Sequence, residues 1–471
     1  MSNESSKLQR GLKNRHIQLI AMGGAIGTGL FLGSAQVIQS AGPSIILGYA
    51  IGGLIAFLIM RQLGEMIVHE PTTGSFSHFA YKYWGNFPGF LTGWNYWILY
   101  ILVAMSELTA VAKYINYWWP FIPAWVSVLF FFIVITLVNL GNVKFYGESE
   151  FWLAIIKVTA VIAMIIFGIV LLVTADPSSG STITNLWTHG GFFPKGFDGL
   201  FYMLAFIMFA FGGIELIGMA AAEAEQPEKT IPKAINQVVF RVLIFYVGSL
   251  TILLSLVPWD KLELDGLDKS PFVMIFSQLG IGWAASILNF IILTAALSVY
   301  NSGMYANGRM LYSLAKKGKA PKFLATVSKN GVPVVGTLFS SGITLIAVVL
   351  NFFMPDKVFG YLMALVVVVL IVCWVSIVIT HMKFRQMHIK AGTVDTIKFK
   401  SILFPFANYL CLAFFVFVLA IMATMDSMRP AVYLLPVWLI IMGVTYKMSH
   451  KEVPIDDELL DEETSAKVSV K

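Results

Sequence analysis

The sequence predicts an all-α integral membrane protein of about twelve transmembrane helices, two of them broken. Three observations carry this. Hydrophobic residues make up 58% of the chain and charged residues only 12%, and the mean hydropathy is +0.78; soluble domains carry about 25% charged residues. The apolar residues fall into runs of the roughly 20 residues that a helix needs to cross a bilayer. Two of these runs, five apart in order, contain glycine strings that a helix facing lipid does not need.

Residues 1–16 are polar and basic, with Lys7, Arg10, Lys13 and Arg15 and no signal-peptide pattern, and read as a cytoplasmic segment. The membrane domain occupies residues 17–450. Its spans are read at 17–38, 42–67, 85–118, 123–141, 151–174, 199–222, 237–257, 280–312, 334–353, 358–381, 402–425 and 431–448. The third and eighth exceed the bilayer and must tilt or project beyond it. Residues 451–471 form a charged cytoplasmic tail with the composition of a disordered segment.

The first span holds Gly23-Gly24-Ala25-Ile26-Gly27-Thr28-Gly29. Each glycine costs about 1 kcal/mol of helix propensity relative to alanine. Non-helical backbone at membrane depth persists only where it is buried in protein or lines a cavity. The string therefore marks either a helix broken at the midplane, as in secondary transporters, or close helix packing through small residues. The sixth span carries a second interruption, Phe209-Ala210-Phe211-Gly212-Gly213-Ile214-Glu215. Breaks five spans apart fit a 5+5 inverted repeat, because an odd number of spans reverses each repeat in the membrane. The coincidence favours the broken-helix reading.

Orientation follows from the basic residues. Lys316, Lys317, Lys319, Lys322 and Lys329 follow the eighth span, and Lys383, Arg385, Lys390, Lys398 and Lys400 follow the tenth. Twelve spans with the N-terminus inside place both clusters, and both termini, in the cytoplasm. The net charge of +6 follows this topology and is no nucleic-acid signal. Two cysteines, Cys373 and Cys411, exclude a disulfide framework or a cysteine metal site. The seven histidines are scattered without metal spacing, and no phosphate-binding loop or other cofactor motif is present. Nothing in the pattern reads as an enzyme.

A charge at membrane depth is a functional hypothesis by default. Lys157 lies about seven residues into the fifth span, and Glu215 directly follows the second glycine pair. Both fall near the breaks in the repeat geometry and are read as functional. Arg61, Glu65 and Glu107 are read as paired within the bundle or near an interface. The stretch Glu223-Ala224-Glu225-Gln226-Pro227-Glu228-Lys229-Thr230-Ile231-Pro232-Lys233 reads as a rigid, solvated connector.

Several motifs carry a family resemblance. Arg10-Gly11-Leu12-Lys13-Asn14-Arg15-His16-Ile17 followed by Gly24-Ala25-Ile26-Gly27-Thr28-Gly29-Leu30-Phe31 resembles the opening of bacterial amino-acid permeases of the amino acid–polyamine–organocation superfamily. Phe211-Gly212-Gly213-Ile214-Glu215, Pro227-Glu228-Lys229-Thr230-Ile231-Pro232 and Leu297-Ser298-Val299-Tyr300-Asn301-Ser302-Gly303 match the same family. Phe76-Ser77-His78-Phe79-Ala80-Tyr81 and Gly93-Trp94-Asn95-Tyr96-Trp97 resemble its aromatic and phenylalanine subgroup. The likeness runs from about Leu8 to about Lys447 and implies a LeuT-type fold, proton-driven uptake and aromatic L-amino acids as solutes.

The resemblance also suggests roles. The inner half of the first helix, ending near Ala25 and Ile26, would leave carbonyls for an ammonium. The outer half, with Gly27, Thr28 and Gly29 at its start, would offer N–H groups to a carboxylate. Gly212 and Gly213 leave space for a ring. Phe209 matches an outer-gate aromatic, and Tyr100 offers an edge or a hydroxyl. Phe211 reads as packing. Lys157 matches a lysine of proton-coupled relatives and would tie the first helix to the eighth near Ser298 or Ser302; Glu215 is the rival proton carrier. An exchanger, or a permease of another neutral amino acid, would use the same fold.

Overall fold

The computed structural model describes residues 27–72, 75–141, 143–176, 179–220, 226–262, 270–328 and 331–449. Ala25 and Ile26, the rest of the inner half of the first span, Glu223 and the tail after Ser449 lie outside these residues.

The described chain is helical throughout. The first span starts as α1 (Thr28–Phe31) and continues as α2 (Gly33–Ala41). A turn at Gly42–Ser44, where Gly42 has φ +60°, leads into α3 (Ile45–His69). The third span is α4 (Asn86–Asn116), the fourth α5 (Ala124–Leu140) and the fifth α6 (Val143–Thr174). The sixth span is split into α7 (Gly196–Phe211) and α8 (Leu216–Ala220). The seventh comprises α9 (Pro227–Arg241), a π-helical turn over Val242–Gly248 and α10 (Ser249–Leu256). The eighth is α11 (Gly282–Lys316). The ninth is α12 (Val334–Thr344) and α13 (Ile346–Phe353), and the tenth α14 (Pro355–Lys390). The last two are α15 (Phe406–Thr424) and α16 (Arg429–Ser449).

Among the described residues, ten helical stretches are long and apolar enough to cross a membrane. One of them, Thr28–His69, turns at Gly42 and holds two spans, and the 17-residue α5 completes the expected twelve.

Three boundaries differ from the sequence reading: the helix of the fifth span, expected from 151, begins at Val143, and two others shift as follows. The stretch from Pro227 to Lys233, expected as a solvated connector, is the start of α9. Pro227 occupies the first turn, where its missing N–H has no helical partner to lose, and Ile231, Ala234, Ile235 and Val238 bury one face. The tenth span, expected to end at 381, continues two turns to Lys390. His381, Phe384, Arg385 and His388 are buried along this extension.

The most buried helices are α4, α7 and α14, while α16 presents Tyr433, Leu434, Val437, Ile440, Ile441 and Val444 outward. In a membrane protein this outer apolar face suits lipid. α4 packs between α11 and α14, so the third, eighth and tenth spans form the scaffold against which the broken helices lie.

Candidate functional site

The second break is built by its two glycines. α7 ends at Phe211, and Gly212 leaves the helix with φ −58° and ψ +141°. Gly213 then takes φ +100°, a region that a side chain disfavours. The backbone groups freed here are met by Glu215. Its Oε2 accepts from the Gly213 N–H at 3.2 Å, and its Oε1 accepts from the Tyr100 hydroxyl of α4 at 3.1 Å. Trp374 of α14 donates to Oε2 at 3.4 Å. The Glu215 side chain, fully buried, thus joins the sixth span to the third and the tenth.

Gly27 and Thr28, where the described part of the first span begins, face it. Gly27 is extended, and Thr28 opens the helix. Glu107 of α4 accepts from the Thr28 hydroxyl at 3.0 Å and from the Thr28 N–H at 3.4 Å, both at Oε1. Its Oε2 is buried with no partner among the described residues. Glu107, read as paired within the bundle or near an interface, is bonded within the bundle to the start of the outer half of the first span.

Between Gly27 and the break in the sixth span lies a small pocket, with room for little more than a water molecule in this conformation. Gly27, Gly29, Tyr100, Glu107, Phe209, Gly212, Gly213 and Glu215 all line it. Leu99, Val103, Val299 and Val366 give it an apolar wall drawn from the third, eighth and tenth spans. Glu107 and the start of the outer half-helix form one polar part and Glu215, held by Tyr100, another; the rest of the lining is apolar or glycine. A small molecule with a charged head and an apolar body matches that division.

The glycines at the site have different jobs. A Cβ on Gly212 would meet only the Phe209 carbonyl at 3.5 Å and Leu370 at 3.7 Å, ordinary contact distances. A Cβ on Gly29 would stand 2.5 Å from the Ala210 Cα, so Gly29 lets the first helix touch the backbone of α7. A Cβ on Gly27 would stand 2.9 Å from both Glu107 Oε1 and Val299. Gly29 was expected to admit a ligand; its closest demand is helix packing.

The aromatic residues divide similarly. Phe209 stands edge-on to Phe359 of α14 at 5.9 Å between centroids, at the cavity wall. Phe211 turns away and stacks on Tyr246 at 5.2 Å, with Tyr49 beside both. The Tyr246 hydroxyl donates to the Ala210 carbonyl at 2.9 Å, bracing the turn before the break.

Lys157 lies apart from the cavity. It is fully buried, and its Nζ donates to Ser298 Oγ of α11 at 2.9 Å. Ser302 is buried one turn further along α11. The contact expected with the first helix falls outside the described residues. Sequence reasoning passed over Glu150, which accepts a short hydrogen bond from Ser298. The signal was present, because Glu150 precedes Lys157 by seven residues and so shares its helix face. Glu65 is buried in a bonded group with His381 at 3.1 Å and Arg385, while Arg61 stacks on Phe399.

The model of the amino acid permease family matches residues 16–457. The aromatic amino acid transport protein AroP of Escherichia coli strain K12 is 59% identical over 445 residues, covering 94% of this chain and 96% of that protein. AroP of Salmonella typhimurium strain LT2 shows the same identity and coverage. A transporter of Bacillus subtilis strain 168, YdgF, is 48% identical over 443 residues, 94% of this chain and 96% of its own length.

Proposed function

The chain belongs to the amino acid permease family of multi-span membrane transporters, and from that premise we propose that it is a proton-coupled symporter importing aromatic L-amino acids. Phenylalanine, tyrosine and tryptophan would cross the bacterial cytoplasmic membrane, with both termini inside. A transporter of this kind needs no enzymatic cluster.

The single observation that carries the reading is the pocket between Gly27 and the break in the sixth span, which Gly212 lines together with Leu99, Val103, Val299 and Val366. A ring would enter there as the surrounding side chains move aside, with no side chain on Gly212 in its way. The names of the relatives support an aromatic solute. At the other end, the outer half-helix from Thr28 would receive the substrate carboxylate. The Oε2 of Glu107, without a partner among the described residues, would face the ammonium. Phe209 would close over the ring from the outer side.

Proton coupling would fall to Lys157, which bonds across from the fifth span to the eighth. Loss of its proton removes the charge from that bond and loosens the contact. Glu215 is the less favoured carrier, since its oxygens are engaged by Tyr100, Trp374 and Gly213.

Proteoliposomes test the whole reading. Purified protein should accumulate labelled phenylalanine when the outside is made acidic, and excess tyrosine or tryptophan should compete. Competition by lysine or arginine in place of the aromatics would overturn the solute class. Uptake that needs an internal amino acid and ignores the proton gradient would make the chain an exchanger.

A further inference from the structure

The residue that bridges the fifth and eighth spans is bonded on both sides. Ser298 Oγ accepts from Lys157 Nζ at 2.9 Å and donates to Glu150 Oε1. Lys157, Ser298 and Glu150 are each 0% exposed. Lys157 and Glu150 lie about 10 Å apart along α6, two turns of helix, and their side chains converge on one hydroxyl. Asn301 and Ser302 of α11 flank the Glu150 carboxylate, and Asn139 of α5 holds Asn301 at 2.8 Å. The other charged group near Lys157, among the described residues, is Glu107 of α4.

A buried ammonium is usually compensated by a direct ion pair or by carbonyls. A hydroxyl placed between ammonium and carboxylate does something more, because it accepts on one side and donates on the other. We propose that Glu150, Ser298 and Lys157 form one proton-holding unit, in which Glu150 is the second proton site and Ser298 the relay.

The step balances without any other reactant. The Ser298 O–H proton passes to Glu150 Oε1 as a proton from Lys157 Nζ re-forms the hydroxyl. Ammonium and carboxylate become amine and carboxylic acid, and the net charge of the unit is unchanged. The unit gains a positive charge only when a further proton enters, and returns it when that proton leaves. With the termini inside, Glu150 is the cytoplasmic member, so the proton departs through Glu150.

This inference rests on the proposed proton coupling through Lys157, and the test separates the two. Uptake of labelled phenylalanine is measured in vesicles with an imposed pH gradient, alongside counterflow over a range of internal pH. Glu150→Gln should lose gradient-driven accumulation to a greater degree than counterflow, and should flatten the dependence on internal pH. Ser298→Ala, which removes only the relay, should do the same in part. The double variant Glu150→Gln/Lys157→Ala should be no worse than Lys157→Ala alone, since groups acting as a unit are not additive. Wild-type accumulation and pH profile in Glu150→Gln or Ser298→Ala, or losses that multiply in the double variant, would overturn the unit. Wild-type accumulation in Lys157→Ala would instead overturn the coupling role of Lys157. Should Glu150→Gln fail to fold, Ser298→Ala measured beside Lys157→Ala decides between these outcomes.

Discussion

The Tyr100 hydroxyl donates to Glu215 Oε1 at 3.1 Å, joining the middle of the third span to the break in the sixth. The same carboxylate receives the Gly213 N–H. Tyr100 therefore holds the broken helix in place as well as lining the cavity beside it.

Tyr100→Phe keeps the ring and removes the bond. A hydrogen bond to a charged group contributes about 1.5–3 kcal/mol, so the variant should melt lower and transport all aromatic substrates less well. If the hydroxyl served the ligand alone, thermal stability would hold and only one substrate would weaken. A thermal scan combined with competition by each aromatic amino acid distinguishes the two.

Gly212→Val should narrow the ring space without straining the chain, because its φ is −58° and no atom stands within 3.4 Å of the added Cβ. One methylene in a pocket discriminates by about 1–3 kcal/mol, and this variant adds three carbons. Tryptophan should lose the most affinity and phenylalanine less, read as inhibition of labelled uptake. An equal loss for small and large amino acids would remove Gly212 from the side-chain pocket.

Gly29→Ala should behave differently. Its Cβ would fall 2.5 Å from the Ala210 Cα, a backbone atom that cannot swing aside. Overpacking of this kind costs about 1–3 kcal/mol, so stability and transport should drop together. Normal stability with lost transport would mean that the Gly29 backbone serves the ligand directly.

Lys157→Arg should uncouple accumulation from the proton gradient nearly as well as Lys157→Ala, because arginine stays charged at every accessible pH. Uptake with and without an imposed pH gradient is the measurement. Full gradient-driven accumulation by the arginine variant would make Lys157 a fixed cation.

Just past the end of α3, Glu70 binds Lys82 at 2.6 Å, Tyr83 at 3.1 Å and His78 at 3.2 Å. Lys317, just past α11, reaches the other nitrogen of His78 at 3.3 Å. Burial alone would push the Glu70 carboxyl up, but the bonds with His78 and Lys82 prevail and hold it at about 2. A depressed carboxylate stabilises the fold above its ordinary pKa and loses that contribution as pH falls. The window is therefore between 4.5 and about 2. Glu70→Gln should make the acid decline of the melting temperature shallower in that window; an unchanged slope would show that the cluster adds nothing to stability.

Much of this protein could be read from composition and order along the chain. The twelve spans follow from apolar run length, because only a helix satisfies its backbone within hydrocarbon. The second break follows from the low helix propensity of Gly212 and Gly213. Lys157 and Glu215 announce themselves as ionisable residues inside apolar runs. Tertiary structure alone decided which groups meet. Glu107 lies 79 residues from Thr28, and Tyr100 lies 115 from Glu215. No local periodicity encodes such pairs, which depend on how α4 is laid against both broken helices. Gly29 and Gly212 look alike in the sequence, yet one presses on Ala210 and the other opens on a cavity. The difference lies in what stands opposite each missing side chain, and that is set by helix packing.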